Sequence, residues 1–133
     1  MSNSLANVKV VLSFPSGGGT VSPPAINLNC PFQGMSVATI DVPDAEVSAT
    51  PHAVPFGSVD AASMVLVQNQ TGQTLDVKIN GAASVSHQIP NGGCQLIAAA
   101  SMPATDLASV DLITTGIQSG EGKIYCWVFG DPS

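Results

Sequence analysis

Ions are scarce in this chain: only 9% of its 133 residues are charged, against about 25% in an average soluble protein. There is no Arg, and Lys9, Lys78 and Lys123 are the only Lys residues in a chain of net charge −6. Binding to nucleic acid draws its non-specific affinity from clustered cations that neutralise phosphates. This sequence has no such cluster, and the same deficit argues against docking on anionic lipid headgroups. With few ions, much of the surface must be Ser, Thr, Asn, Gln, Gly and small apolar groups. Such a surface costs little to desolvate when another protein docks on it, so the composition favours extensive subunit contact over the alternative of a secreted or surface β-domain that is simply polar and uncharged.

Cysteine is also sparse. Cys30, Cys94 and Cys126 are odd in number, with no C-x-x-C pair, so a disulfide framework is not expected. They read as buried, small, apolar thiols of a protein made in a reducing compartment. The start, MSNSLANVKV, lacks the basic, apolar and cleavage regions of a signal peptide, and no segment is long enough to span a bilayer as a helix. Neither secretion by a signal peptide nor membrane insertion is expected.

Helical periodicity is nearly missing, whereas period-two alternation recurs between clusters of Gly, Pro, Asn and Ser. Strands are expected at Asn7 to Phe14, Ala25 to Cys30, Met35 to Val42, Met64 to Asn69, Thr74 to Asn80, Ser84 to Ile89, Cys94 to Ala100, Leu107 to Thr115 and Lys123 to Phe129. A weaker one covers Ala45 to Thr50. Thr20 to Pro24 reads as a connector, because paired prolines fix φ and remove two donors. Ser58 to Ser63 is expected to form one helical turn capped by Ser58. Thr71-Gly72 is read as the turn of a β-hairpin, Asn80-Gly81 as the strongest turn signal, and Met102-Pro103 as a loop.

Eight or nine strands at regular spacing predict an all-β fold: a two-sheet antiparallel β-sandwich, jelly-roll-like, with little or no helix. One domain over residues 1–133 is expected, with 44% hydrophobic residues supplying its core and residues 1–6 forming an N-terminal arm that lies on a neighbouring subunit.

No constellation for catalysis is found. His52 and His87 are the only histidines, and neither sits in G-x-S-x-G or another nucleophile setting. Each is expected to be hydrogen-bonded at a surface or interface. Cys30, Cys94, Cys126, His52 and His87 match no compact zinc spacing. Asp41, Asp44, Glu46, Asp60, Asp106 and Asp111 lie mostly at turns and strand ends, with no D-x-D-x-D-G calcium loop. Glycoside hydrolysis wants a carboxylate pair beside stacked rings, but Trp127 and Tyr125 are expected on opposite faces of their strand, unable to form one platform. Gly17 to Gly19 lack the spacing and the following helix of a phosphate loop. Asn69-Gln70-Thr71 fits a glycosylation sequon by coincidence of turn composition. The expectation is no enzyme activity, no cofactor and no metal.

The stretch MVLVQNQTGQTLDVKINGAASVSHQIPNGGCQLIAAA, Met64 to Ala100, is similar to segments of small structural proteins of tailed bacteriophage particles. In those, a strand ending in Asn, a T-G turn, an alternating strand and an IPNGG-like break precede another apolar strand. The closing IYCWVFGDP, Ile124 to Pro132, resembles the last strand of the same kind of domain. The resemblance implies a virion protein, a capsid decoration or cement protein that is commonly trimeric, with the major capsid protein as partner. It implies a place on the capsid surface after assembly in the host cytoplasm. Leu5, Val8, Val10, Phe14 and Phe56 are the expected subunit-interface residues. The alternative reading is a receptor- or glycan-binding domain of a tail fibre or spike, which would require aromatic and polar residues gathered in one exposed place.

Overall fold

The computed structural model describes residues 4–10, 14–21, 26–32, 34–98 and 107–132. Among them there are strands and turns but no helix. The strands are β1 (Ser4–Val10), β2 (Phe14–Ser16), β3 (Gly19–Val21), β4 (Ile26–Phe32), β5 (Gly34–Val42) and β6 (Pro51–Ala53), followed by β7 (Val59–Gln70), β8 (Leu75–Ile79), β9 (His87–Ile89), β10 (Cys94–Ala98), β11 (Val110–Thr114) and β12 (Gly122–Pro132).

Two four-stranded antiparallel sheets carry the fold, in the orders β10-β7-β12-β5 and β6-β11-β8-β9. Taking the eight strands from β5 to β12 in chain order, the first pairs with the eighth, the eighth with the third and the third with the sixth. In the other sheet the second pairs with the seventh, the seventh with the fourth and the fourth with the fifth. Every connection but β8 to β9 passes from one sheet to the other. That is the strand order of a jelly roll, in line with the fold class expected from the number and spacing of strands in the sequence.

Alternation builds the core between the sheets. Val65 and Val67 of β7, Ile124, Cys126 and Val128 of β12, Val42 of β5 and Ile97 of β10 meet Leu75, Val77 and Ile79 of β8. Ile89, Val110 and Leu112 belong to the same cluster, and Val54, Val59, Ala62 and Leu107 complete it. β-Branched residues dominate because they fit a pleated surface, and each fully buried aliphatic side chain contributes roughly 1.5–3 kcal/mol.

A bulge interrupts β7. Met64 stands opposite Phe129 and Ala62 opposite Gly130, leaving Ser63 as the extra residue. The bulge lets Ala62 stay in the core while Met64, also fully buried, keeps step with Leu66 and Gln68 on the other face. Gly130 is required here: a Cβ would strike the Ala61 carbonyl oxygen and come within 2.8 Å of the Ala62 Cα.

Several local expectations are corrected. Ser58 to Ser63 is not a helical turn. β7 begins at Val59, whose burial and pairing to β12 outweigh a cap-like Ser. Ala45 to Thr50 is not a strand: Ala45 and Ala49 adopt left-handed φ of 64° and 63°, and pairing starts only at β6, an edge strand where Pro51 is tolerated. β7 and β8 do not form a hairpin, since they belong to different sheets; the chain between them crosses the sandwich, with Thr71 buried in the crossing. The first strand is β1, three residues earlier than Asn7, and Thr20 and Val21 belong to β3. The loop at Met102-Pro103 lies outside the described residues, and Asn80-Gly81 has the expected positive φ at both positions, 54° and 70°.

Before β5 the chain makes two nested ladders, β1 with β4 and β2 with β3, with Gly17 and Gly18 at the turn. β4 also touches β7 and β12.

Candidate functional site

The sheet β10-β7-β12-β5 has a second face, turned away from the core, and cross-strand register arranges it in rows. One row joins Met64, Phe129 and Met35. The next joins Leu96, Leu66, Trp127 and Val37, and the third Cys94, Gln68, Tyr125 and Thr39. The last holds Gln70, Lys123 and Asp41. The face therefore grades from apolar to polar along β12.

Trp127 and Tyr125 are separated by Cys126, so the strand's period of two puts both rings on one face. The expectation that they lie on opposite faces is overturned by Cys126, which points into the core while its two neighbours stay half-buried outside. Val37 and Met35 beside them are 59% and 53% exposed. These are large apolar groups in water on an edge strand, and they mark the face as unusual.

At the polar end, Lys123 Nζ donates to Asp41 Oδ1 at 2.6 Å. That hydrogen bond, and then the Asp41 charge, hold the ammonium above its ordinary pKa. A hollow of about 190 Å³ opens there, lined by Asp41, Val42, Pro43, Glu121, Gly122 and Lys123.

Residues with potential for chemistry are dispersed. His52 lies on β6 and His87 on β9, the opposite edges of one sheet, roughly 14 Å apart at ordinary strand spacing. His52 Nε2 is 2.7 Å from Glu46 Oε1, both largely shielded, while His87 is exposed. Asp44 accepts the backbone N–H of Gly120 at 2.7 Å. Asp106 lies outside the described residues. Among the described residues no three of His, Cys, Asp and Glu cluster as a metal site would require.

The cysteines divide. Cys126 is buried, and burial pushes its thiol up to about 11. Cys94 is free and exposed, which corrects the expectation of three buried thiols. It sits on the edge strand β10, in the outer row with Gln68. Cys30 stands opposite Ala6 in the β1–β4 ladder. Asn69 of the sequon is fully buried, and its Nδ2 donates to the Gln73 carbonyl at 2.7 Å and the Ile89 carbonyl at 2.9 Å. Both amide hydrogens are committed, so the folded chain offers no glycosylation acceptor here.

Of the expected interface residues, Leu5, Val8 and Val10 stand opposite Pro31, Leu28 and Ile26. Phe14 stands opposite Val21. Phe56 is elsewhere: half-buried, it packs against the core between the sheets. The outer face was legible in two signals that the sequence reading did not combine. One is the unbroken apolar run Met64 to Val67, which marks a strand with two apolar faces. The other is the spacing of two between Tyr125, Trp127 and Phe129.

No protein-family model matches the chain, and no curated protein matches it.

Proposed function

We propose that this protein is a non-enzymatic structural component of a tailed-phage particle, a capsid decoration or cement protein that bridges neighbouring major capsid subunits at the virion surface. The observation that carries this reading is the N-terminal ribbon. Among the described residues, β1–β4 and β2–β3 pair only with each other and join neither four-stranded sheet. A two-stranded ribbon is marginal in water by itself; β4 touches β7 and β12, and a further protein surface laid against the ribbon would add to that support. Its register sets Ala6, Val8 and Val10 opposite Cys30, Leu28 and Ile26, while the exposed Asn7 and Lys9 stand opposite Asn29 and Asn27. That pattern is amphipathic in sequence; its apolar side carries Val8 and Val10, while Leu5 alternates with them on β1 and Phe14 lies in the β2–β3 ladder.

The scarcity of ions supports the same role, because few hydrated charges must be stripped on docking. A homo-oligomer, with a trimer favoured, would engage several capsid subunits at once and multiply modest contacts of roughly 1,000 Å² each. Assembly of the particle in the host cytoplasm accords with the free thiols of Cys94 and Cys126.

Sedimentation of the purified chain with empty capsids tests the reading. Co-sedimentation and a rise in capsid thermal resistance are expected, both weakened by Val8→Glu. A chain that stays in the supernatant and leaves capsid melting unchanged would refute it. The second reading, a glycan-binding domain of a fibre or spike, is favoured by one observation, the shared face of Tyr125 and Trp127.

A further inference from the structure

We infer that the outer face of β10-β7-β12-β5 binds a neutral oligosaccharide, with Tyr125 and Trp127 as the stacking rings and Thr39, Gln68 and Gln70 as hydroxyl partners. It rests on the second, glycan-binding reading, to which it gives a ligand class and named residues, and not on the assembly role.

Two residues apart on β12, the rings stand about 7 Å from each other along the strand, a spacing on the scale of consecutive sugar units. The C–H face of a pyranose packs on an aromatic ring, and its hydroxyls then need donors and acceptors at the ring's edge. Those are present in register: Gln68 and Thr39 flank Tyr125 on either side, and Gln70 lies one row further on. Among the described residues nothing hydrogen-bonds the side chains of Thr39, Gln68 or Gln70, although Gln68 is half-buried. Amides and hydroxyls with open capacity beside aromatic rings suit a ligand that is apolar on its faces and polar at its rim.

Size and charge narrow the ligand. Met64 of the first row is fully buried, so rows two to four across up to four strands form the available surface, about 14 Å by 14 Å or on the order of 200 Å². A second protein copy needs roughly 800 Å² per partner, whereas a few sugar units fit. The hollow at the polar end continues the surface and is lined by two acids, Asp41 and Glu121, and one cation, Lys123. Its balance of one negative charge disfavours anionic polysaccharides and leaves carboxylate oxygens to accept hydroxyl protons from a neutral one.

Trp127 is the single tryptophan, so its emission reports on the face directly. The experiment is a fluorescence titration of the full chain with two probes, cellohexaose and the hexamer of N-acetylglucosamine. At least one is expected to give a saturable change. Tyr125→Ala should weaken binding by about tenfold or more. Thr39→Ala, at an exposed position that leaves the fold intact, should weaken it several-fold. Melting curves of both variants separate loss of binding from loss of fold. No change with either probe up to about 10 mM, an affinity weaker than a few kcal/mol of binding, overturns the inference. So does a titration that both variants leave unaltered. Capsid sedimentation reads a different surface, so the two proposals fail separately.

Discussion

Asn69, at the end of β7, accepts two hydrogen bonds from Thr71, one from its backbone N–H at 3.0 Å and one from its hydroxyl at 2.6 Å. The pair opens a chain of buried amides. Gln118 Nε2 donates to the Thr71 carbonyl at 2.6 Å, Gln73 Nε2 donates to Gln118 Oε1 at 2.6 Å, and Gly116 N–H donates to Gln73 Oε1 at 2.7 Å. The β7–β8 and β11–β12 loops are fastened this way at one end of the sandwich, and no buried side-chain polar atom among the described residues lacks a partner.

Removing Asn69 strands several of these groups at once. Asn69→Leu, close in volume but unable to hydrogen-bond, is expected to lower stability by about 2–4 kcal/mol, since each orphaned buried group costs about 1–3 kcal/mol. Urea unfolding measures it. Gln88→Ala, which loses only an exposed bond to Asp76, should fall within about 0.5 kcal/mol of the parent.

Gly130→Ala forces a methyl group into the backbone of β7. Neither the Ala61 carbonyl nor the Ala62 Cα can swing aside as a flexible side chain would, so a loss of about 2–4 kcal/mol is expected. Gly116→Ala, whose nearest neighbour would be Gln73 Oε1 at 3.6 Å, is the mild control. Thermal melting of both variants checks the difference.

Thiol chemistry should separate the two cysteines. At about pH 8, iodoacetamide is expected to modify Cys94 in the native chain and spare Cys126, whose thiolate is about one part in a thousand at that pH. Peptide mapping reads the outcome. Because burial raises the Cys126 thiol from 9.0 to about 11, the folded chain stays protonated where the unfolded chain ionises. Its contribution to stability is complete below pH 9 and lost as pH rises to about 11. A Cys126→Ala chain should show a flatter decline over that window.

The Lys123–Asp41 pair is short but solvent-exposed on both sides. Lys123→Met is expected to shift stability by less than about 1 kcal/mol, with the remaining effect shrinking in salt. Denaturation at low and at high ionic strength measures both statements.

Much of the sandwich was written in local pattern. Val67, Leu75, Val77, Ile79, Leu112, Ile124 and Val128 alternate with less buried neighbours, and a period of two depends on nothing beyond the strand's own geometry. Asn80-Gly81 likewise took its positive φ from residue chemistry alone. Ser58 to Ser63 misled because a cap signal is worth about 1 kcal/mol, and pairing ten of the twelve β7 residues along β12 outweighs it.

The amino-acid order by itself determined that the described residues are built mainly of strands, that Asn80-Gly81 turns, and which alternating side chains enter the core. Each of these follows from interactions within a few residues. Only the tertiary structure decided that β7 and β8 part into separate sheets, that Asn69 meets Gln73, Ile89 and Thr71, and that Tyr125 gains Gln68 and Thr39 and Trp127 gains Leu66 and Val37 as neighbours. Those outcomes depend on which distant strands pair, a choice set by the summed burial of the whole core and by no single stretch of sequence.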